Sequence, residues 1–389
     1  MKIAFIGQKG IPAVSGGVEK HVEKLAVRLA AQGQEVYAYV RSHYTDPNLN
    51  EYEGVKLIHV PSIRTKHLEA ITHTFFATLH LLFQSYDVVN YHSIGPSVLA
   101  ILPRIFRPDI KVVATFYSRD YLHQKWNVLA RLCLRFAEKS MCSVPEKTIV
   151  TSETLQKYVE QKYQKKFVFV PSGAEVSFES DSASLNQWGL RPKRYILSVS
   201  RLVAHKGIHY LIKAFNELED TNKIPNNFKL VIVGAPAHTE EYAAFLKVLT
   251  RGRKNILLLG EQTSKTLEEL FSHAYLFVQP SEEEGLSLAL LEAMGHGLMP
   301  IVSDIPSNRE AIASAGVFFS SKDVDGLKKE LAYFITRSDL VEALGQTAME
   351  RVRMQYGWNA IAYRTLEVYE DVLQERHTIK KSYVSNRVK

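Results

Sequence analysis

Cysteine is scarce: the 389 residues hold two, Cys133 and Cys142, with eight residues between them. A disulfide framework needs more, and that spacing fits no metal-ligand pattern, so reduced thiols in a cytosolic setting are expected. Long apolar runs are missing as well. The opening run inside Met1 to Gly7 is too short for a secretory signal. The stretch Phe75 to Phe83 is interrupted by His80 and falls short of the roughly 20 residues that cross a bilayer. No GxGxxG fingerprint follows the first apolar run; Gly7, Gly10, Gly16 and Gly17 are spaced otherwise, which weighs against a dinucleotide enzyme. Helix-turn-helix, zinc and aromatic-basic RNA signatures are lacking too, so nucleic acid is not an expected partner.

What is present suits a globular chain of two domains. Hydrophobic residues make up 46% and charged residues 23%, and the length allows two units of roughly 150 to 200 residues each. The net charge of +7 is lopsided: residues 1–170 carry 22 Lys and Arg against 14 Asp and Glu, the remainder 26 against 27. Basic residues are densest from Arg104 to Lys147, interleaved with Leu132, Leu134 and Phe136. Such a segment rests on an anionic membrane surface, meets an acceptor phosphate, or is a solvated helix face.

Strand and helix patterns alternate in two tandem sets. In the first, strand Lys2 to Gly7 enters a loop, Gln8 to Gly17, and then a helix whose Val18, Val22, Leu25, Ala26 and Leu29 recur at helical spacing until Gly33. Strand Glu35 to Val40 completes a βαβ unit and predicts a parallel sheet. Strands Val55 to Val60, Val88 to Tyr91, Val112 to Phe116 and Thr148 to Thr151 follow, with helices around Leu68 to Gln84 and Val128 to Lys139. The polar stretch 173–187 reads as a linker. The second set predicts strands at Arg194 to Ser200, Lys229 to Gly234, Asn255 to Gly260, Tyr275 to Gln279 and Met299 to Ser303. Helices Ile208 to Leu218, Glu240 to Arg251, Lys265 to Ala274 and Ser287 to Gly295 lie between them. Two such units leave a cleft, and ligands in open parallel sheets bind beyond the carboxyl ends of the strands.

Three groups of residues stand at such strand ends. Gly16 and Gly17 lead into the first helix, where absent Cβ atoms and helix N-terminal amides suit an anion; a flexible turn explains them equally well. Arg201 and Lys206 directly follow a strand and suit a leaving diphosphate, on which negative charge develops as a glycosidic bond breaks. The third group is Pro280-Ser281-Glu282-Glu283-Glu284-Gly285-Leu286-Ser287, with Glu292 eight residues beyond Glu284. Gly285 permits close approach, and the amides near Leu286 and Ser287 mark a helix start. A carboxylate among sugar hydroxyls accepts hydrogen bonds, and a second can hold a ribose diol. The acidic run also suits the positive end of a helix dipole, which does not account for Glu292.

The Arg201 to Lys206 spacing, the Glu284 to Glu292 spacing, Gly295 to Asp304 and Asn308-Arg309-Glu310 resemble the donor domain of the large retaining GT-B glycosyltransferase family. Gly10-Ile11-Pro12 through Glu19, with Arg41-Ser42-His43-Tyr44-Thr45, is similar to a bacterial branch of rhamnosyl- or related sugar transferases. The resemblance covers nearly the whole chain. It implies an α/β fold of two Rossmann-like domains facing a central cleft: 1–172 plus 359–389 on the acceptor side, and 188–358 on the donor side. A terminal helix from about Asn359 to Gln374 would cross back to the first domain. It implies diphosphate binding by Arg201 and Lys206, sugar hydroxyls on Glu284, ribose on Glu292, and Gly16-Gly17 over the phosphates. No metal or other cofactor is implied, and Asp323-Val324-Asp325 reads as a helix cap instead.

One departure bears on the chemistry. Where the family carries a His after the strand Val112 to Phe116, this chain has Tyr117. A phenol donates a hydrogen bond but does not titrate near neutrality. The downstream Gln124 to Asn127 keeps the branch pattern, and His92 is another polar group at a strand end, a candidate substrate contact or a satisfied loop residue. Pro171-Ser172-Gly173 departs more mildly, since the family shows Asn before that Gly. The expected function is retaining transfer from a nucleotide sugar to a glycan or lipid-linked acceptor, in cell-surface polysaccharide synthesis at the inner face of the membrane. Tyr117 motivates an alternative, a non-catalytic nucleotide-sugar-binding subunit; a nucleotide-sugar epimerase is the third reading.

Overall fold

A computed structural model describes residues 1–65, 68–119, 121, 128–237 and 239–385, with side chains as far as Gln374. The Gln124 to Asn127 pattern lies outside the described residues. Two compact units make up the chain: Met1–Ser172 with Trp358–Lys389, and Gly173–Gly357.

The first unit runs β1 (Lys2–Ile6), α1 (Gly17–Ala31), β2 (Glu35–Arg41), β3 (Glu51–Tyr52), β4 (Val55–Val60), α2 (Glu69–Leu81), β5 (Val88–His92), α3 (Ile101–Phe106), β6 (Lys111–Phe116), α4 (Val128–Ser143), β7 (Lys147–Val150), α5 (Glu153–Tyr163) and β8 (Val168–Phe169). Its eight strands lie in the order β3-β4-β2-β1-β5-β6-β7-β8, parallel except for the short β3 against β4. β5 is buried along its whole length and β6 from its second residue, as a parallel sheet covered on both faces requires. Alternate residues of β6 share a face: Val112 packs in one cluster with Ala77 and Leu81 of α2, Ala114 and Phe116 in another with Ala137 and Met141 of α4. Both helices therefore cover the same side of the sheet.

The second unit runs β9 (Tyr195–Val199), α6 (Ile208–Asp220), β10 (Lys229–Val233), α7 (Glu240–Leu249), β11 (Ile256–Leu258), α8 (Ser264–His273), β12 (Leu276–Gln279), α9 (Leu288–Gly295), β13 (Pro300–Ser303), α10 (Pro306–Ile312), β14 (Val317–Phe319), α11 (Val324–Phe334) and α12 (Ser338–Arg351). Six parallel strands lie in the order β11-β10-β9-β12-β13-β14. Tyr195 and Leu197 face one core and Ile196 the other, so this sheet too is covered on both sides. Asp323 caps α11 by accepting the Gly326 amide at 2.9 Å, and Asp325 pairs with Lys328 at 2.6 Å.

The expected linker 173–187 is packed rather than free. The Ala174 amide donates to the Tyr356 carbonyl at 2.9 Å, the Glu179 amide to Ser272 Oγ at 2.8 Å, and Ser184 Oγ to Glu269 Oε1 at 2.9 Å. Leu185 is part of the second unit's core. Polar composition concealed this because the serines serve as hydrogen-bond partners to the unit. The last helix, α13 (Trp358–Ser385), starts one residue before the expected Asn359 and outlasts the expected end at Gln374. It belongs to the first unit, packs along α1, and places Tyr369 where its hydroxyl accepts from Asn90 Nδ2 at 2.8 Å.

Candidate functional site

Each sheet reverses its direction of growth once. In the second unit β9, β10 and β11 step one way and β12, β13 and β14 the other, so the switch lies between β9 and β12. In the first it lies between β1 and β5. Crevices outside the carboxyl ends of strands at such a switch are where open parallel sheets bind ligands. The loops leaving β9 and β12 carry Arg201, Lys206 and the run Pro280 to Ser287. The loop leaving β1 carries the glycine turn, His92 ends β5, and Tyr117 follows the neighbouring β6.

In the second unit the two loops are tied together. Lys206 Nζ lies 2.5 Å from Glu284 Oε1, and Ser281 Oγ donates to the same oxygen at 2.7 Å. The Glu282 amide donates to the His205 carbonyl at 2.7 Å. Gly207 has φ +66°, and a Cβ there would stand 2.0 Å from the Pro280 carbonyl oxygen, so this close approach admits only glycine. Arg201 is exposed at the start of the loop, and Glu292 is half-buried on α9. Glu282 accepts from Tyr210 at 2.8 Å and pairs with Lys322 at 2.9 Å. Glu282 and Glu284 are thus held by the neighbouring loop and side chains.

Beneath the loop runs a buried polar chain. Ser287 caps α9 with its hydroxyl, which accepts the Leu290 amide at 3.4 Å and donates to Gln279 Oε1 at 2.6 Å. Gln279 Nε2 donates to Asn308 Oδ1 at 2.8 Å, and Asn308 Nδ2 reaches the Ser303 carbonyl at 2.9 Å and Ser303 Oγ at 3.1 Å. Ser303 Oγ in turn donates to the Ser281 carbonyl. Leu286 fixes the loop from the apolar side, at 9% exposure in the core cluster. Asn308, marked in the sequence only as part of a resembling motif, and Gly207, the glycine directly after Lys206, are thus structural determinants of the loop.

In the first unit the glycine turn is held by carboxylates of α1. The Lys9 amide donates to Glu19 Oε1 at 3.3 Å, and the Ala13 amide to Glu23 Oε2 at 2.5 Å. Gly16 has φ +103°, and a Cβ there would lie 2.1 Å from Glu19 Oε2. The Arg41 to Thr45 segment clasps the same turn. The Arg41 amide donates to the Lys9 carbonyl at 2.8 Å, Thr45 Oγ1 to the Ile11 carbonyl at 3.1 Å, and Tyr44 OH accepts the Val14 amide at 2.7 Å. The two resembling motifs therefore interlock. Gly17 opens α1, so one carboxylate of the helix's own first turn already lies beside its positive end.

His92 is the last residue of β5 and fully buried, with Nδ1 2.8 Å from the hydroxyl of half-buried Tyr117. Burial, reinforced by nearby His21, holds the His92 pKa well below its ordinary value, so the ring is neutral. Burial first, then Tyr369 and Glu19, pushes the Tyr117 phenol well above its ordinary range. His21, which the strand-end reading did not single out, stacks edge-on against Tyr117 and Trp358, and its Nδ1 lies 3.0 Å from Ser172 Oγ. The serine that departs from the expected Asn is thus engaged by a buried histidine.

Comparison with known proteins agrees with this architecture. Residues 183–351 match the family model of glycosyl transferases group 1, and residues 15–178 match that of glycosyltransferase family 4. An uncharacterized glycosyltransferase of Methanocaldococcus jannaschii is 24% identical, covering 96% of this chain and 99% of its own length. The phosphatidyl-myo-inositol mannosyltransferase of Mycolicibacterium smegmatis is 24% identical over 96% of this chain and 95% of its own. Among solved structures, Anabaena HepE in complex with UDP-glucose superposes with a TM-score of 0.78 at 17% identity, covering 95% of this chain and all of the other. With both sheets and both switch points in agreement, the chain has the GT-B glycosyltransferase fold, its second unit matching glycosyl transferases group 1 and its first glycosyltransferase family 4.

Proposed function

We propose that the chain transfers a sugar, with retention of configuration and without a metal, from a nucleotide sugar to a glycan or lipid-linked acceptor in cell-surface polysaccharide synthesis. The observation that carries this reading is the Lys206–Glu284 pair at the β9/β12 switch point, beside Arg201. Without ligand the ammonium and carboxylate satisfy each other. A donor diphosphate offers Lys206 a more highly charged partner and releases Glu284 to accept from sugar hydroxyls, while Glu292 on α9 takes the ribose. Gly285, Leu286 and Ser287 present backbone toward the donor, and Gly16 and Gly17 are its further proposed phosphate contacts.

The C1–oxygen bond breaks with its electron pair passing to the diphosphate, where Arg201 and Lys206 stabilise the growing charge. The acceptor hydroxyl attacks C1 on that same face, and its proton passes to a diphosphate oxygen. No carboxylate nucleophile is needed, unlike in most retaining hydrolases. Tyr117 presents its hydroxyl to the sugar, and His92 acts through Tyr117 as a positioning residue. HepE binds UDP-glucose and the mannosyltransferase is named for phosphatidyl-myo-inositol; both support a nucleotide-sugar donor and a lipid-bearing acceptor. The branch resemblance puts rhamnosyl donors beside hexosyl donors, and the basic first unit suits peripheral association with an anionic membrane at its cytoplasmic side.

The test begins with a thermal-shift screen across nucleotide sugars, since a ligand at about 100 times its Kd adds about 2.7 kcal/mol. Transfer with the stabilising donor is then measured. Lys206→Ala or Glu284→Ala should lower turnover about a hundredfold or more with unfolding intact, and EDTA should leave wild-type turnover unchanged. Wild-type turnover from either variant would remove the site. Tyr117 favours one other reading, a non-catalytic subunit; donor binding with neither transfer nor slow hydrolysis would select it, and product without acceptor would indicate an epimerase.

A further inference from the structure

Helix α2 is built inside out. Its buried positions include His73, Thr74 and Thr78, while Ile71, Phe75, Phe76 and Leu79 stand exposed, and Phe83 just beyond its end is 80% exposed. A helix that faces water arranges these residue types the other way round. The neighbouring elements continue the pattern. Ile101, Ile105 and Phe106 of α3 are exposed, as are Val128, Leu129, Leu132 and Phe136 of α4. Among the described residues, 14 of the 23 exposed large apolar side chains fall between positions 63 and 136, so these are no random scatter.

The three helices form one region. α2 and α4 cover the same face of the sheet, α2 touches α3, and the short turn Pro96–Ala100 that leads into α3 packs against both α2 and α4. Beside the apolar row of α4 stands a second row, Arg131, Arg135 and Lys139, at i, i+4 spacing and exposed. The carboxylate of α4, Glu138, is withdrawn from the surface: it is fully buried, with Lys162 at 2.6 Å and Tyr163 at 2.7 Å. The outer face of α4 thus carries three cations and no exposed carboxylate.

We propose that α2, α3 and α4 form a surface that inserts shallowly into the interfacial layer of an anionic lipid bilayer. Aromatic and aliphatic side chains enter the headgroup boundary while the cations lie among anionic headgroups. A second copy is a poorer occupant, because a two-fold contact on this face would bring the cation rows of both copies together. This names the contact behind the peripheral association proposed above. It differs from adsorption of the basic segment alone, because apolar insertion is not screened by salt.

The experiment uses the full chain. Cys133 is exposed on α4 and Cys142 is buried, so the native protein takes an environment-sensitive dye at Cys133. Flotation is measured with phosphatidylcholine vesicles with and without phosphatidylglycerol, at low and high salt. The expected result is flotation with the anionic vesicles, a blue shift of the dye, and a fraction of binding that survives high salt. Phe83→Ser with Phe106→Ser should weaken partition roughly tenfold at both salt levels. Arg131→Glu with Arg135→Glu should weaken it more than tenfold at low salt and little at high salt. The idea is overturned if wild type floats with no vesicle, or if salt removes all binding and the Phe variants bind like wild type. It is equally overturned if the Phe substitutions turn a dimer into a monomer and no vesicle binds. A cooperative unfolding transition near the wild-type midpoint shows that the variants are folded, and flotation needs neither donor binding nor sugar transfer, so the two readings fail separately.

Discussion

Tyr117 and His92 show how one substitution is absorbed by its surroundings. The phenol is joined at 2.8 Å to an imidazole that burial keeps neutral, so neither group changes charge between pH 6 and 8. Tyr117 can then serve the sugar as a neutral hydrogen-bond donor and not as a proton-transfer group. Tyr117→Phe is expected to lower kcat about tenfold to a hundredfold while leaving donor Kd within about twofold, since only the hydroxyl is lost. Steady-state kinetics beside equilibrium donor binding decide this, and unchanged kcat would place Tyr117 outside the reaction. Tyr117 could be read from sequence because it stands directly after a recognisable strand. His92 was also legible as a polar strand end, but its pairing with Tyr117 was not: it lies 25 residues away, and only the pairing of β5 with β6 sets the two strand ends side by side.

The loop after β12 depends on elements that follow it. Asn308, near the start of α10, links Gln279 at the end of β12 to Ser303 at the end of β13, and Ser303 holds the Ser281 carbonyl. Asn308→Leu would leave Gln279 Nε2 and the Ser303 carbonyl without these buried partners. A loss of about 2 to 4 kcal/mol in unfolding free energy is expected, with a raised donor KM because the loop bearing Glu284 loses its support. Asn308→Asp, which keeps the acceptor toward Gln279, should recover part of the stability. Equal KM in wild type and Asn308→Leu would show that the network stabilises the unit without shaping the loop. The strands were legible because buried parallel strands are short apolar runs between turn residues. The inside-out face of α2 was not, because apolar residues occur on both of its sides and periodicity does not say which one meets the core. The packing of 173–187 escaped for the opposite reason, having few apolar contacts to betray it.

Across the whole molecule, acid sensitivity concentrates in the first unit. Burial lowers His21 to about 3, and burial with the Arg41 charge lowers His73 to about 3, against 6.5 for a free histidine. Folded pKa values below the unfolded one mean that the unfolded chain takes up protons first. The neutral-ring stability is complete above pH 6.5 and is lost as pH falls from there through about 3. By pH 5 each ring is expected to cost up to about 2 kcal/mol. Urea unfolding of wild type at pH 7.5 and 5 should show this drop, and His73→Met should flatten the slope; an identical slope in that variant would discount the histidine. Domain order was readable from the tandem alternation, whereas the buried histidines were not, since a lone His carries no signal of its depth.

The return of α13 to the first unit also fixes an order of assembly. Ribosomes deliver the Tyr369 that meets Asn90, and the Trp358 that meets His21, only after residues 173–357 have emerged. The second unit is therefore available to fold as an uninterrupted stretch of nascent chain while the first still waits for its closing helix. An exchange of the second unit between relatives, in turn, has to be made as an insertion with two junctions, near Ser172 and Trp358, and not as a simple exchange of tails.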